Sequence, residues 1–140
     1  MDFSGFEQLE FPQDPPERVG EVYVLLFVLN GLEKPFYVGQ TMRFAGRMDD
    51  YFWAQFTAST DFKVGKSIKH LRDERGCQII VRHKPSSNRL DEEKAIIRQL
   101  SKEKFPLLNS CPNYDYKTAS EDDVLEAIRG YCDKLIAGTV

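Results

Sequence analysis

Residues 21–40 read EVYVLLFVLNGLEKPFYVGQ, and this stretch decides the fold. Val22 to Leu29 is an unbroken apolar run rich in β-branched and aromatic residues, which favours a buried strand. It falls far short of the ~20 residues of a membrane span. Asn30-Gly31 follows as a strong turn signal, and Phe36, Tyr37 and Val38 give a second strand. The spacing predicts a β-hairpin with its loop over Asn30–Pro35. Gly39 closes the second strand, where a missing Cβ lets another group approach the backbone.

Beyond the hairpin the pattern turns helical. Phe44, Arg47, Met48 and Tyr51 recur at helical spacing and predict a helix over Arg43–Phe56, with Trp53 and Phe56 as core residues. A second helix is predicted from Lys66 to about Glu74, with Ile68 and Leu71 inward and Gly76 as its stop. Cys77 to Val81 reads as a short central strand and Pro85 to Asn88 as a loop. Leu90 to about Lys104 is the clearest helix, with Leu90, Ile96, Ile97 and Leu100 on one side and Pro106 after its end. A last helix, Ser120 to Ile136, opens on a capping box of Ser120 and Asp123.

The expected fold is α/β (α+β): a three-stranded antiparallel-type sheet flanked by helices, in the order β-β-α-α-β-α plus a C-terminal helix. Residues 1–20 show no periodicity and read as an irregular arm packed through Phe3, Phe6 and Phe11; residues 21–109 form the main domain. Residues 110–140 form a helical extension packed on it.

The N-terminus lacks a basic segment before an apolar one, so no signal peptide is expected. Cys77, Cys111 and Cys132 are odd in number and widely spaced, which favours free thiols acting as small hydrophobes in a reducing, cytoplasmic setting. A net charge of −3 weighs against a nucleic-acid partner. The middle of the chain is nevertheless basic: Arg43 with Arg47, then Lys63, Lys66, Lys69, His70 and Arg72, then Arg82, His83 and Lys84. His70 and His83 have no partner at ligand spacing and are expected at the surface.

Arg47 and Tyr51 are four apart and share a helix face. Glu93 falls in the middle of the apolar arc of its helix, where an unpaired carboxylate is costly unless a metal ion or an arginine meets it. Glu92 falls toward the arc's edge.

The set Val22-Tyr23, then Tyr37-Val38-Gly39, then Arg47, then Glu93 with Ile97, Leu100, Pro106 and Asn109 resembles the GIY-YIG endonuclease family over residues 21–109. Valine replaces isoleucine in both tripeptides, Gly20 is displaced from the first, and Tyr51 stands where many members have histidine.

The resemblance implies a metal-dependent endonuclease acting on nucleic acid, DNA in the first instance. Glu93 would hold Mg²⁺ (or Mn²⁺), with Glu92 an open alternative. Arg47 would bind the scissile phosphate, Tyr23 serve as general base, Tyr37 orient the water and Tyr51 hydrogen-bond the phosphate or water. Gly39, Gln40, Arg43, Lys66 and Lys69 are the expected substrate contacts, and Asn109 a structural residue beside the site. No membrane association is expected; a homo-oligomer or a targeting protein partner would supply specificity. The alternative is a catalytically inactive module of the same fold that binds nucleic acid or a protein.

Overall fold

A computed structural model describes residues 1–15 and 20–139. The mixed α+β architecture is built on one antiparallel sheet with helices on both faces. Its strands are β1 (Glu7–Glu10), β2 (Glu21–Leu29), β3 (Leu32–Thr41) and β4 (Gln78–Pro85), in the order β1-β4-β2-β3. The helices are α1 (Phe44–Trp53), α2 (Ser59–Lys69), α3 (Arg89–Lys102) and α4 (Glu121–Ala137). A π-helical segment, His70–Glu74, continues α2, and Leu108–Ser110 is a 3-10 turn.

β2 is paired on both edges and covered on both faces, which explains its continuous apolar run. One face carries Tyr23, Leu25, Phe27, Tyr37, Ile79 and Val81 against α1, α2 and α4. The other carries Val22, Val24, Leu26, Val38 and Ile80 against Ile96 and Leu100 of α3. From the last helix Ile128, Cys132 and Leu135 enter the first of these cores. Among the described residues no helix is long and apolar enough to cross a membrane.

The expected irregular arm contains β1, so the sheet has four strands rather than three. Its register pairs Leu9 with Val81 and Glu10 with Ile80. Only Leu9 of its four residues is buried, and one apolar residue leaves no alternation to detect. Phe3 and Phe6 pack against the α3-side core and Phe11 enters the opposite one. Residues 16–19 of that arm lie outside the described residues.

The hairpin loop is shorter than predicted. Asn30 (φ 53°) and Gly31 (φ 77°) form the whole turn, and β3 resumes at Leu32. Leu32, Glu33 and Lys34 look like loop because β3 is an edge strand there and their side chains face water. Pro35 sits beside a register shift after Leu25, where a proline without N–H is tolerated. The shift puts Phe36 and Tyr37 in the same core.

α1 stops at Trp53 because Ala54 turns left-handed (φ 48°), and Trp53 faces solvent rather than the core. Phe56 is only partly buried, stacked on Tyr114 at 4.7 Å. α2 begins at Ser59, earlier than predicted at Lys66: its first half is buried through Phe62 and Val64 but also through Lys63 and Gly65, which hide the helical period. Strand β4 extends to Pro85, so Ile79, Val81 and His83 alternate inward. At the start of α3, Leu90 points outward. The hydroxyl of Ser120 accepts a hydrogen bond from the Asp123 N–H at 3.3 Å and caps α4, while the reciprocal bond of a capping box, from the Ser120 N–H to the Asp123 carboxylate, is absent among the described residues.

Both histidines are buried, contrary to expectation, at 4% and 2% exposure. The His70 nitrogens meet Glu74 at 2.5 Å and Asp133 at 2.7 Å, joining the π-helical segment to α4. His83 packs against Phe44 at 4.7 Å, with Nδ1 3.5 Å from a Glu21 oxygen. All three cysteines are free, with Cys77 and Cys132 buried.

Candidate active site

Four of the expected residues meet at one end of the sheet. Tyr23 stands on β2 directly opposite Gly39 of β3. A Cβ on Gly39 would lie 2.3 Å from Cζ of Tyr23, so the absence of a side chain there lets the ring lie flat across the neighbouring strand. The Tyr23 hydroxyl shares a 2.7 Å hydrogen bond with that of Tyr51. Tyr37, two positions before Gly39 and hence on the same face, packs edge-on against Tyr51 at 6.2 Å. The guanidinium of Arg47, one helical turn before Tyr51, lies 4.9 Å from that ring's centre.

Burial, first of all, raises the phenol pKa of Tyr23, Tyr37 and Tyr51, and the neighbouring tyrosines push it further. Arg47 counteracts this only in part, so the three hydroxyls are protonated at neutral pH and available as donors. Burial also works against the Arg47 charge, but Tyr51, Tyr23 and Asp61 outweigh it and keep the guanidinium ionised.

Asp61 is a site residue that the sequence did not reveal. Its carboxylate accepts from Arg47 Nη1 at 2.6 Å, and Asp50 lies 3.5 Å from the same nitrogen. Asp61 comes from the first turn of α2, a helix start that its composition concealed. Arg43 is exposed and reaches Asp50 at 3.4 Å, so Asp50 lies between two arginines.

Glu93 arrives from α3, the helix on the opposite face of the sheet, and its charge is felt by Tyr37 on the edge strand. It is half-buried, and burial raises its carboxyl pKa. Among the described residues no side chain forms a hydrogen bond or salt bridge with it. Glu92 differs: it accepts from Ser86 at 2.6 Å and from Lys84 at 2.8 Å, and these contacts hold its pKa below the usual glutamate value. The spare carboxylate is therefore Glu93.

Among the described residues no three His, Cys, Asp or Glu side chains form a cluster suited to a metal. A single half-buried carboxylate without a partner fits a hard divalent ion that keeps most of its waters, as Mg²⁺ does.

Asn109 braces the site. Its amide donates to the Val38 carbonyl at 2.7 Å and accepts from the Val38 N–H at 2.9 Å, continuing the ladder of edge strand β3 between Tyr37 and Gly39. Asn109→Ala leaves that peptide without its partner; a loss of about 1–3 kcal/mol in stability is expected, read by urea denaturation. Gln40 accepts from Arg89 Nε at 3.1 Å, linking β3 to the start of α3. Lys66 and Lys69 do not join the cluster; their ammonium groups lie over Phe62 and Phe52 instead.

No family model, curated protein or solved structure matches this chain.

Proposed function

We propose that the chain is a divalent-metal-dependent endonuclease that hydrolyses phosphodiester bonds in DNA. The observation that carries the reading is a half-buried Glu93, without a hydrogen bond or salt bridge among the described residues, whose charge acts on Tyr37 of the buried cluster that Tyr23, Tyr37 and Tyr51 form beside Arg47. Of these, Tyr23, Tyr37, Arg47 and Glu93 also belong to the pattern that resembles GIY-YIG endonucleases.

Glu93 would hold Mg²⁺ or Mn²⁺, which when bound polarises the scissile phosphate, lowers the pKa of a coordinated water and stabilises charge on the leaving oxygen. Arg47 binds a non-bridging phosphate oxygen, exchanging part of its pairing with Asp61 for the substrate. Asp61 and the Tyr51 ring hold the guanidinium in place until then.

The phenols act as hydrogen-bond donors. Tyr37 orients the attacking water, whose proton would pass to solvent once a bound cation has lowered its pKa; Tyr51, fully buried and bonded to Tyr23, supports the Arg47 guanidinium with its ring. Tyr23 is less suited to the base role than its motif position implies. It is 1% exposed, its hydroxyl is engaged by Tyr51, and burial shifts its pKa away from that of a neutral-pH base.

Protons compete with a cation for Glu93. Because burial raises its pKa, cleavage is expected to climb with pH over a range above that of an ordinary glutamate, ~4.3. The sign for stability is opposite. An ionised Glu93 costs folded-state stability at neutral pH when no cation is present, so in EDTA the Tm of Glu93→Gln should equal or exceed that of the parent.

The test is cleavage of supercoiled plasmid, single-stranded DNA and RNA with Mg²⁺ or with EDTA. Cleavage of DNA that EDTA abolishes supports the reading. DNA binding without cleavage of any substrate would point to the inactive binding module instead.

A further inference from the structure

The sequence reading places Trp53 in the core, but it is 70% exposed and Phe52 beside it is 42% exposed. The two rings meet edge-to-face at 5.5 Å. Trp53 projects from the end of α1 away from the side that buries Phe44, Met48 and Tyr51, and Phe52 lies between that side and Trp53. Lys69 Nζ lies 5.8 Å from the centre of the Phe52 ring, and Lys66, one turn earlier on α2, covers the edge of the core over Phe62. Neither lysine has a salt bridge among the described residues. Arg72 follows on the π-helical segment, paired with Asp73 at 2.9 Å and lying over the Phe11 ring at 5.6 Å. Burial first, and then the like charge of Lys66, lower the Lys69 pKa, with Asp73 opposing the shift and Arg72 adding to it. Asp50, paired with Arg43 and Arg47, and the exposed Asp49 precede the aromatic pair on the same helix.

We propose that Phe52, Trp53, Lys66 and Lys69 form a docking surface for an unpaired, single-stranded stretch of the DNA substrate. The inference rests on the nuclease reading for the identity of that substrate. Two adjoining exposed rings offer faces on which bases stack, and two lysines with no salt bridge among the described residues meet the backbone phosphates. A protein partner fits less well, because lysine is depleted at protein interfaces where aromatic residues are enriched. A duplex fits less well too, because its bases have no free faces. Phe52 is the next residue after Tyr51, so the surface and the cluster of tyrosines and Arg47 sit on adjoining sides of one helix, about 10 Å across. A strand held on Trp53 would thus be led toward the candidate active site, and the enzyme would favour DNA with an unpaired segment beside the cut.

Trp53 is the only tryptophan, so emission excited at the red edge, where the six tyrosines do not absorb, reports this surface. The full chain is titrated in EDTA, which separates binding from cleavage, with a thymidine oligonucleotide of about fifteen nucleotides. Saturable quenching that weakens with added salt is expected, with little quenching by a blunt duplex of equal length. A Lys66→Glu/Lys69→Glu variant should bind at least about 10-fold more weakly. Trp53→Ala, read by anisotropy of a labelled oligonucleotide, should lose about 10-fold to 100-fold. Unchanged emission on adding the oligonucleotide would overturn the proposal, as would undiminished binding by the charge-reversed variant or equal quenching by the duplex. Emission that follows protein concentration rather than DNA, with a matching rise in sedimentation coefficient, would assign the surface to self-association and overturn it as well. Cleavage in Mg²⁺ by a protein whose Trp53 emission ignores DNA would sink the docking surface and leave the nuclease reading intact.

Discussion

Arg47→Ala is expected to lower the single-turnover rate of DNA cleavage by about 10³-fold, the scale seen when a group that stabilises transition-state charge is removed. Arg47 is the cation that touches the tyrosine cluster, and its surroundings keep it ionised. The effect should fall on the chemical step, because charge on the phosphate grows as water attacks. Arg47→Lys should recover only part of it, since a point charge does not reproduce a planar fork of donors. A structural loss must be separated from a chemical one. Arg47→Ala leaves Asp61, a largely buried carboxylate, without its 2.6 Å partner. Arg47→Lys supplies a charge to Asp61 and controls for that. A lysine variant as active as the parent, measured at saturating DNA, would remove Arg47 from the transition state.

Gly39→Ala should produce the largest loss of stability among the substitutions at the site. Its Cβ would sit 2.3 Å from Cζ and 2.4 Å from Oη of Tyr23. The ring cannot swing aside, because Tyr23 is buried against Phe44 and its hydroxyl is bonded to Tyr51. Overpacking of this kind costs about 1–3 kcal/mol or more. At this chain length that corresponds to a drop in Tm of roughly 2–4 °C per kcal/mol. The same displacement breaks the Tyr23–Tyr51 bond, so cleavage should fall even at temperatures where the variant is folded. Combining Gly39→Ala with Tyr23→Leu should restore much of the Tm and little of the activity. If Gly39→Ala melts with the parent, then the close approach of Tyr23 to the strand is not as described.

The parts of the fold that were legible in the sequence are those whose signals are local. Asn30-Gly31 between two apolar runs specifies a hairpin wherever it occurs, and the periods of α1, α3 and α4 survive because each has one wet side. The errors come from residues whose placement depends on distant partners. Leu32 to Lys34 look like loop because an edge strand faces water on one side, yet they pair with Val28 and Leu29 of β2 and with Phe27. Gly65 looks like a helix breaker but is needed within α2, where a Cβ would meet the Tyr51 carbonyl oxygen at 2.2 Å. Trp53 reads as a core residue, although its angle on α1 points it away from Phe44, Met48 and Tyr51.

The site divides in the same way. Tyr23, Tyr37, Arg47 and Tyr51 were readable because two paired strands and the helix that follows them fix their relation. Glu93 was selected because it interrupts an apolar arc, and its half-buried, unpartnered state has that same cause. Asp61 has no periodic relation to Arg47 and becomes visible only when α2 packs on α1. The raised phenol pKa values were hidden too, since burial of the tyrosines, rather than the nearby cation, dominates them.

The most direct test is the cleavage rate of one DNA substrate as a function of added Mg²⁺, for the parent and for Glu93→Gln side by side. The parent should show saturable activation that EDTA abolishes, and Glu93→Gln should fall by about 10³-fold or more while keeping its Tm. Equal rates in the two proteins, or cleavage by the parent that ignores EDTA, would contradict the assignment of Glu93 as the residue that holds a catalytic cation.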